Sequence, residues 1–155
     1  MLEAGVAAPD FTLESMEGEK VTLSDFHGKN VVLYFYPRDM TPGCTNEACD
    51  FRDQNERFAK VDTVVIGISP DSVEKHRKFI EKHHLPFTLL SDPNHEVSSQ
   101  YGTWQKKKNF GREYMGMIRT TYLVDKKGVI ANSWTKVKVS GHVDEVYRYV
   151  KEHLA

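Results

Sequence analysis

Cysteine is scarce in this sequence, because only Cys44 and Cys49 occur among its 155 residues. Small secreted domains that depend on disulfides carry more cysteines than this, so we expect no structural disulfide framework. Two thiols five positions apart are more typical of redox chemistry in a reducing compartment. The two cysteines are therefore the first candidates for a functional site.

A surplus of charge of either sign is also missing. The sequence has 21 lysine and arginine residues against 22 aspartate and glutamate residues, which gives a formal net charge of -1. A nearly neutral protein has no overall field that attracts nucleic acid or anionic lipid, so we expect neither as a partner.

Long apolar runs are absent as well. No uninterrupted apolar stretch approaches the length of about 18 residues that spans a membrane, and Met1–Gly5 lacks the basic and apolar regions of a signal peptide. We therefore expect a cytoplasmic protein with no membrane partner. No repeat or linker divides the chain, and its length suits one core, so residues 1–155 are expected to form a single domain.

Hydrophobic residues recur with the periods of strands and helices in turn. Two short alternating runs within residues 9–23 predict an N-terminal hairpin, and the uniformly β-favouring run Val31–Tyr36 predicts a strand covered on both faces. The later predicted elements are a helix from Cys44 to about Lys60, a strand at 64–68, a helix that starts at Ser69-Pro70, a strand at 88–90, a short helix at 94–101, a hairpin at 121–131 and a final helix at 143–154.

This order of elements predicts an α/β fold with a mixed central β-sheet and helices on both of its faces. It is compatible with a thioredoxin-like fold, and the pattern alone leaves other α/β sandwiches open. Residues 103–117, which contain Lys106–Lys108, indicate a surface excursion. The lysines suit a solvated loop, with the docking of a reductase as the alternative.

Cys44 stands at the start of a predicted helix, directly after the turn Pro42-Gly43. A helix N-terminus offers unpaired backbone N–H groups and the positive end of the helix dipole, and both stabilise a thiolate. Thr41 can direct its hydroxyl toward the sulfur or a peroxide, and Gly43 lets backbone amides approach a small substrate. Cys44 is therefore a candidate nucleophile, whereas a lone cysteine is more often a small buried apolar residue.

The helical repeat separates the two sulfur atoms. Cys44 shares a face with Ala48 and Phe51, which points to the core, whereas Cys49 shares one with Arg52 and faces the solvent. Positions five apart in a helix have Cα atoms about 8–9 Å apart, and a disulfide seldom tolerates more than about 7 Å. We expect residues 44–49 to be helical in the reduced protein and to unwind when oxidation joins the thiols.

The string Pro-x-x-x-Thr-x-x-Cys, met by Pro37, Thr41 and Cys44, resembles the active-site motif of the peroxiredoxins. The fuller form Thr-Pro-Gly-Cys-Thr-x-Glu-x-Cys is similar to the bacterioferritin comigratory protein, or Q-type, branch. The similarity covers nearly the whole chain. The further matching segments are Ala8–Phe11, Gly67–Ser69, Leu89–Asp92 and Arg119–Asp125.

This resemblance implies a thioredoxin fold, no cofactor, and a peroxidatic cysteine at Cys44. It also implies that Thr41 and Arg119 position the peroxide and that Glu47 holds the arginine. A guanidinium suits this task because it is permanently charged and has fixed donors. The remaining supporting positions of the motif are Pro37 and Gly43.

The resemblance further implies a reaction sequence. Cys44 attacks hydrogen peroxide or an organic hydroperoxide and becomes a sulfenic acid, and Cys49, at the resolving position of two-cysteine members, closes an intramolecular disulfide. In similar proteins thioredoxin usually reduces this disulfide, and the expected role is antioxidant defence. A resolving cysteine in the same helix requires no second subunit, so we expect a monomer. The preferred peroxide and the choice between thioredoxin and glutaredoxin stay open.

Two other functions could use the same cysteine pair. A thiol–disulfide oxidoreductase without peroxidase activity more often carries Cys-x-x-Cys than the Cys-x-x-x-x-Cys found here. A redox-sensing binding module would use a Cys44–Cys49 disulfide to change a surface that a partner recognises.

The seven histidines do not predict a metal site. His83 and His84 are adjacent and therefore face different sides of a helix. His76 and His83 lack a nearby carboxylate on their shared face, so we expect no bound metal.

Overall fold

The computed structural model of the chain describes residues 1–155. The strands are β1 (Thr12–Ser15), β2 (Lys20–Thr22), β3 (Asn30–Phe35), β4 (Thr63–Ser69), β5 (Thr88–Ser91), β6 (Trp104–Asn109), β7 (Arg112–Met117), β8 (Thr120–Val124) and β9 (Ile130–Thr135). The helices are α1 (Pro42–Ala59), α2 (Val73–His83), α3 (Glu96–Gln100) and α4 (His142–His153), with a short 3₁₀ helix at Leu23–Phe26. None of the helices combines the length and the apolar character needed to cross a lipid bilayer.

Seven strands form one mixed sheet in the order β2-β1-β5-β4-β3-β8-β9, and β6 and β7 form a separate hairpin. The central strands β3, β4 and β5 are parallel, whereas β1 and β8 join them antiparallel. Parallel neighbours require crossover connections, which α1 and α2 supply. The predicted mixed sheet is confirmed, and the predicted N-terminal hairpin is the pair β1 and β2.

Strand β3 is buried along its whole length, as its uniformly apolar sequence predicts. Its successive side chains point to opposite faces of the sheet. Val32 and Tyr34 enter the apolar layer shared with α1, α2 and α4, whereas Leu33 and Phe35 enter the layer that contains α3. Because β3 leads into α1, the start of that helix lies at the carboxyl end of a fully buried strand.

Helices cover both faces of the sheet, as predicted, but they do so unequally. One face carries α1, α2 and α4, whose side chains, such as Phe51, Phe79 and Val146, build the larger apolar layer. The other face is covered by the short α3 and the 3₁₀ helix, supplemented by Phe11 and Tyr101. The long helix with both cysteines therefore lies on the more heavily covered face.

Helix α1 begins at Pro42, two residues before the predicted start at Cys44. Proline is favoured at a first helical position because the N–H that it lacks would have no helical partner there. The buried face of α1 includes Cys44, Ala48 and Phe51, which confirms the predicted core-facing stripe.

The predicted start of α2 at Ser69-Pro70 is wrong. The helix begins at Val73, and its N-cap is Ser72, whose hydroxyl accepts the Lys75 N–H at 3.2 Å. Ser69 is the last residue of β4, and its hydroxyl donates to the carboxylate of Asp71 at 2.7 Å. Ser69 also pairs with Ser91 of β5, so it belongs to the sheet, and no local signal in the sequence reveals this pairing.

Residues 103–117 contain the hairpin β6–β7, where the sequence indicates only a surface excursion. At its tip Phe110 and Gly111 have φ values of 51° and 76°, which a two-residue turn between twisted strands requires. Most side chains of both strands are exposed or half-buried, so neither strand has the apolar alternation by which strands are recognised.

Candidate active site

The first turn of α1 has backbone N–H groups that no helical carbonyl accepts. Thr41 is the N-cap residue, but its side chain makes no capping hydrogen bond. The Thr45 N–H donates to the Thr41 carbonyl at 2.8 Å, and Pro42 has no N–H. The intervening N–H groups, those of Gly43 and Cys44, have no partner within a regular helix. Together with the helix dipole they favour negative charge at this end.

Arg119 joins two side chains of α1. Its Nη2 lies 3.3 Å from the Sγ of Cys44, and its Nη1 donates to Oε1 of Glu47 at 2.6 Å. Arg119 lies between β7 and β8, and its carbonyl accepts the Val137 N–H at 3.1 Å, which anchors this part of the backbone. The structure therefore brings together the predicted cluster of cysteine, glutamate and arginine.

The ion pair of Glu47 and Arg119 is largely withdrawn from water. The Glu47 side chain is 0% exposed and that of Arg119 is 17% exposed. Burial raises the pKa of Glu47 to about 7, because the loss of hydration outweighs the opposing effect of the Arg119 charge. The second oxygen, Oε2, has no hydrogen-bond partner in the protein. Glu47 is therefore a carboxyl group that can exchange a proton near neutral pH.

Gly43 provides the space in which the guanidinium approaches α1. A Cβ atom at this position would lie 3.2 Å from Nη2 of Arg119, which is tighter than ordinary van der Waals contact. The predicted supporting position therefore has a steric basis, because a side chain there would press on the group that contacts Cys44.

Thr41 lies at the edge of a cleft of about 620 Å³ whose other motif residue is Pro37. The Thr41 hydroxyl donates to the carbonyl of Arg38 at 3.0 Å, so its hydrogen is not directed at the sulfur. Its oxygen lone pairs can still accept a hydrogen bond. The remaining walls of the cleft come from the start of α2 and from the β6–β7 hairpin, including Trp104 and Met115.

The two cysteines are free and differ in exposure, as predicted. Cys44 is 1% exposed, whereas Cys49 is half-buried. Residues 44–49 are helical, so the sulfur atoms lie on different sides of α1. A disulfide between them requires this part of the helix to unwind.

A buried polar network that the sequence does not indicate anchors the loop before α1. The Asp39 carboxylate accepts the Tyr36 hydroxyl at 2.5 Å and lies 2.6 Å from Nδ1 of His76. The Asp39 N–H donates to the carboxylate of Asp71 at 2.7 Å. Residue 40, which follows directly, has a φ of 66°, so the loop is held in an uncommon backbone conformation beside its anchor.

In this network His76 has a carboxylate partner that its own helix face does not supply. The carboxylate comes from Asp39 in a different element, and α2 alone could not reveal it. Potential ligand atoms of Asp39, Asp71 and His76 lie within 4.8 Å of one another. Each of these side chains already has hydrogen-bond partners within the protein, since Nε2 of His76 also lies 3.0 Å from the Leu90 carbonyl. The cluster is therefore a satisfied network in this state.

Comparison with known proteins identifies the group to which this arrangement belongs. Residues 4–133 match the model of the AhpC/TSA family. The chain belongs to the AhpC/TSA family. Peroxiredoxin Bcp of Bacillus subtilis is 56% identical over 151 residues, which cover 97% of this chain and 96% of that protein.

Solved structures agree with this membership. A mutant of peroxiredoxin Q from Xanthomonas campestris has a TM-score of 0.92 and 35% identity, with 98% of this chain and 99% of that chain covered. The bacterioferritin comigratory protein of the same organism, solved in trapped intermediate and ligand complexes that bear on its alkyl peroxide reduction activity, has a TM-score of 0.92 and 34% identity. In that comparison 97% of this chain and 99% of the other are covered.

This AhpC/TSA member is accordingly a peroxiredoxin of the Bcp and Q type, with peroxidase activity toward peroxide substrates. Its mixed sheet with helices on both faces is the expected thioredoxin-like fold. The resemblance inferred from Pro37, Thr41 and Cys44 is confirmed at the level of the family.

Proposed function

We propose that this peroxiredoxin reduces hydrogen peroxide and organic hydroperoxides with Cys44, resolves the product with Cys49 and is recycled by thioredoxin. The observation that carries this proposal is the contact of 3.3 Å between Nη2 of Arg119 and Sγ of Cys44. A permanent cation beside a sulfur at a helix N-terminus favours the thiolate, which is the reactive form.

The first step is a nucleophilic displacement. The Cys44 thiolate attacks one peroxide oxygen, an S–O bond forms, the O–O bond breaks, and the leaving oxygen takes up a proton to become water or an alcohol. Sulfur is oxidised to a sulfenic acid, and the peroxide is reduced. Arg119 and the first-turn amides of α1 stabilise the negative charge as it moves from sulfur to the leaving oxygen.

The motif residues orient the peroxide. Thr41 accepts a hydrogen bond from the peroxide O–H, because its own hydrogen is given to the Arg38 carbonyl. Gly43 admits the guanidinium at close range, and Pro37 shapes the cleft beside Thr41. Glu47 holds the other arm of Arg119 at 2.6 Å, so the guanidinium is fixed before substrate arrives.

The second step joins the two cysteines. Cys49 attacks the sulfur of the Cys44 sulfenic acid and expels water, which forms an intramolecular disulfide. Cys44 is buried and Cys49 is half-buried on another side of α1, so the first two turns of the helix have to unwind. An external dithiol then reduces the exposed disulfide, and thioredoxin is the expected donor. The reaction needs no second subunit, which suits a cytoplasmic monomer in antioxidant defence.

The test is peroxide consumption coupled to thioredoxin and thioredoxin reductase, measured for the wild type, Cys44→Ser and Cys49→Ser. We expect Cys44→Ser to be inactive. We expect Cys49→Ser to react once, to accumulate a sulfenic acid that dimedone traps on Cys44, and then to stall. A wild-type rate no faster than that of free cysteine would overturn the peroxidase assignment of Cys44.

The same assay separates the alternatives. A thiol–disulfide oxidoreductase would reduce disulfide substrates but not consume peroxide. A redox-sensing module would form the Cys44–Cys49 disulfide without sustained turnover. Replacement of thioredoxin by glutaredoxin and glutathione identifies the reductant, since only the matching donor sustains turnover.

A further inference from the structure

One cation serves two groups that can each become an anion. Arg119 contacts Sγ of Cys44 with Nη2 and Oε1 of Glu47 with Nη1. Cys44 and Glu47 are both at most 1% exposed. In such an environment a net charge is costly, because little water is present to solvate it.

The site is neutral when either Cys44 or Glu47 is ionised, and it carries a net negative charge when both are. With a thiolate on Cys44, the neutral arrangement has a protonated Glu47. With a sulfenic acid on Cys44, which is uncharged, the neutral arrangement has an ionised Glu47. Interacting groups of this kind share their protons as a pair.

The polar contacts of Glu47 fit such an exchange. A carboxylate can accept about four hydrogen bonds, and Glu47 accepts only that of Arg119 at Oε1, while Oε2 has none. The Tyr34 hydroxyl, which is also buried, likewise has no partner. The charged form of Glu47 is therefore weakly solvated by the protein, and the unpartnered Oε2 is the atom that can carry a proton.

We propose that Glu47 is the proton reservoir of the peroxidase reaction: it holds a proton while Cys44 is a thiolate and releases it when Cys44 is oxidised. This inference rests on the proposed role of Cys44 as the peroxidatic residue. The step is balanced as thiolate, protonated Glu47 and hydroperoxide giving sulfenic acid, ionised Glu47 and alcohol or water. The S–O bond forms and the O–O bond breaks. The leaving oxygen gains the proton that Glu47 loses.

Other ionisable groups surround this pair but do not replace it. Burial is the largest cause that raises the pKa of Tyr34, and among charges that of Glu47 contributes most, so Tyr34 stays a neutral phenol. Burial and Asp50 both raise the pKa of Glu47, against Arg119. The ionisable groups around the pair are Tyr34 on β3, Asp50 on α1 and, beside Arg119, His142 on α4, while Asp39 in the loop before α1 acts on Tyr34.

The test counts protons in a single turnover. Cys49→Ser protein, which stops at the sulfenic acid, is mixed near neutral pH with hydrogen peroxide in a weakly buffered solution that contains a pH indicator. We expect almost no proton uptake from solvent when Glu47 is present. In Cys49→Ser/Glu47→Gln, we expect about one proton to be taken up for each Cys44 oxidised, because the leaving hydroxide has no internal donor.

Glu56→Gln in the same background is the matched control, because Glu56 lies exposed on the same helix and takes no part in the ion pair of Glu47 and Arg119. We expect this control to take up almost no proton from solvent, as the Cys49→Ser protein with Glu47 does. Equal proton uptake with and without Glu47, in samples whose Cys44 is labelled by dimedone, would overturn the reservoir and leave the peroxidase function intact. Absence of dimedone labelling in all of them would contradict the peroxidase function itself.

A second measurement needs no substitution at Glu47 and so does not depend on the folding of a Glu47 variant. The infrared difference spectrum of oxidised minus reduced Cys49→Ser protein should show the loss of a protonated carboxyl band and the gain of a carboxylate band. The absence of any carboxyl band in this spectrum would contradict the proposal, because it would mean that Glu47 keeps one protonation state throughout.

Discussion

Arg119 is the side chain that joins the two other members of the site, because its two terminal nitrogens contact Glu47 at 2.6 Å and Cys44 at 3.3 Å. A lysine has the same charge but a single nitrogen and no fork. We expect Arg119→Lys to lower the second-order rate constant of Cys44 with hydrogen peroxide about 100-fold. Stopped-flow kinetics of the reduced protein measure this rate.

Arg112→Lys provides the control for that substitution. Arg112 lies exposed on the β6–β7 hairpin, away from α1, and its replacement should leave the rate unchanged. A wild-type rate in Arg119→Lys would show that charge alone, without the fork, activates the thiol.

A side chain at Gly43 should lower activity without lowering stability. Gly43→Ala puts a Cβ 3.2 Å from Nη2 of Arg119, so the guanidinium has to move by a few tenths of an ångström. We expect the rate with peroxide to fall about tenfold because the contact with Cys44 is displaced. The free energy of unfolding should not decrease, since alanine favours a helix more than glycine does. A parallel loss of both quantities would instead indicate a folding defect.

The proposed mechanism requires helix α1 to be stable in the reduced protein and partly unwound in the disulfide form. We expect hydrogen exchange of the amides at 44–49 to accelerate strongly when peroxide converts the protein to the disulfide form. Amides of β3 and α4 should keep their protection and serve as the internal reference. Unchanged protection at 44–49 in a protein shown by mass spectrometry to hold the Cys44–Cys49 disulfide would contradict the unwinding.

The loop between β3 and α1 is connected to α2 by one buried pair, Asp39 and His76. We expect His76→Leu to lower the free energy of unfolding by about 3 kcal/mol, because it leaves a buried carboxylate without its main partner. The double variant Asp39→Ala/His76→Leu removes both groups and should recover part of this loss. Urea denaturation of the wild type, the two single variants Asp39→Ala and His76→Leu, and the double variant completes the cycle. Purely additive changes in the free energy of unfolding would contradict a direct interaction.

Over the whole molecule, two buried groups give opposite dependences of stability on pH. Burial raises the pKa of Glu47 from 4.5 to about 7, so the native protein binds that proton better than the unfolded chain does. Its contribution to stability falls by about 3 kcal/mol as the pH rises through this interval. Burial lowers the pKa of His142 from 6.5 to about 4, so the unfolded chain binds that proton better, and this contribution rises with pH by a similar amount.

The contributions of Glu47 and His142 to the free energy of unfolding change with pH in opposite directions, so they should cancel over the pH range that they share. In a Cys44→Ser background, which removes the thiolate, we expect Glu47→Gln to become more stable, relative to its parent, as the pH rises from about 4.5 to about 7. His142→Gln should lose stability relative to the parent as the pH rises from about 4 to about 6.5. Denaturant titrations over this range measure both slopes, and parallel profiles for the three proteins would contradict the assigned shifts.

Much of the architecture could be predicted from local patterns in the chain. The uniformly apolar run of β3, the stripe of α1 and the alternating run before Ser15 each reflect which faces are buried, and burial selects residue types directly. The hairpin β6–β7 could not be predicted in this way, because most of its side chains are at least partly exposed. The start of α2 differs from the predicted one because Ser69 pairs with Ser91 of β5 and so belongs to β4, a contact between residues far apart in the chain.

By itself the sequence determined the α/β class and the position of Cys44 at a helix start, because hydrophobic periodicity is a property of neighbouring residues. The thioredoxin-like fold came only with the family, which the resemblance of the motif to the peroxiredoxins indicated. Only the tertiary structure decided the surroundings of the ionisable groups at the site. Burial of Glu47, the missing partner of its Oε2 and the anchoring of Asp39 by His76 depend on elements that are far apart in the chain. Desolvation and charge pairing arise only when those elements pack, and no local pattern records them.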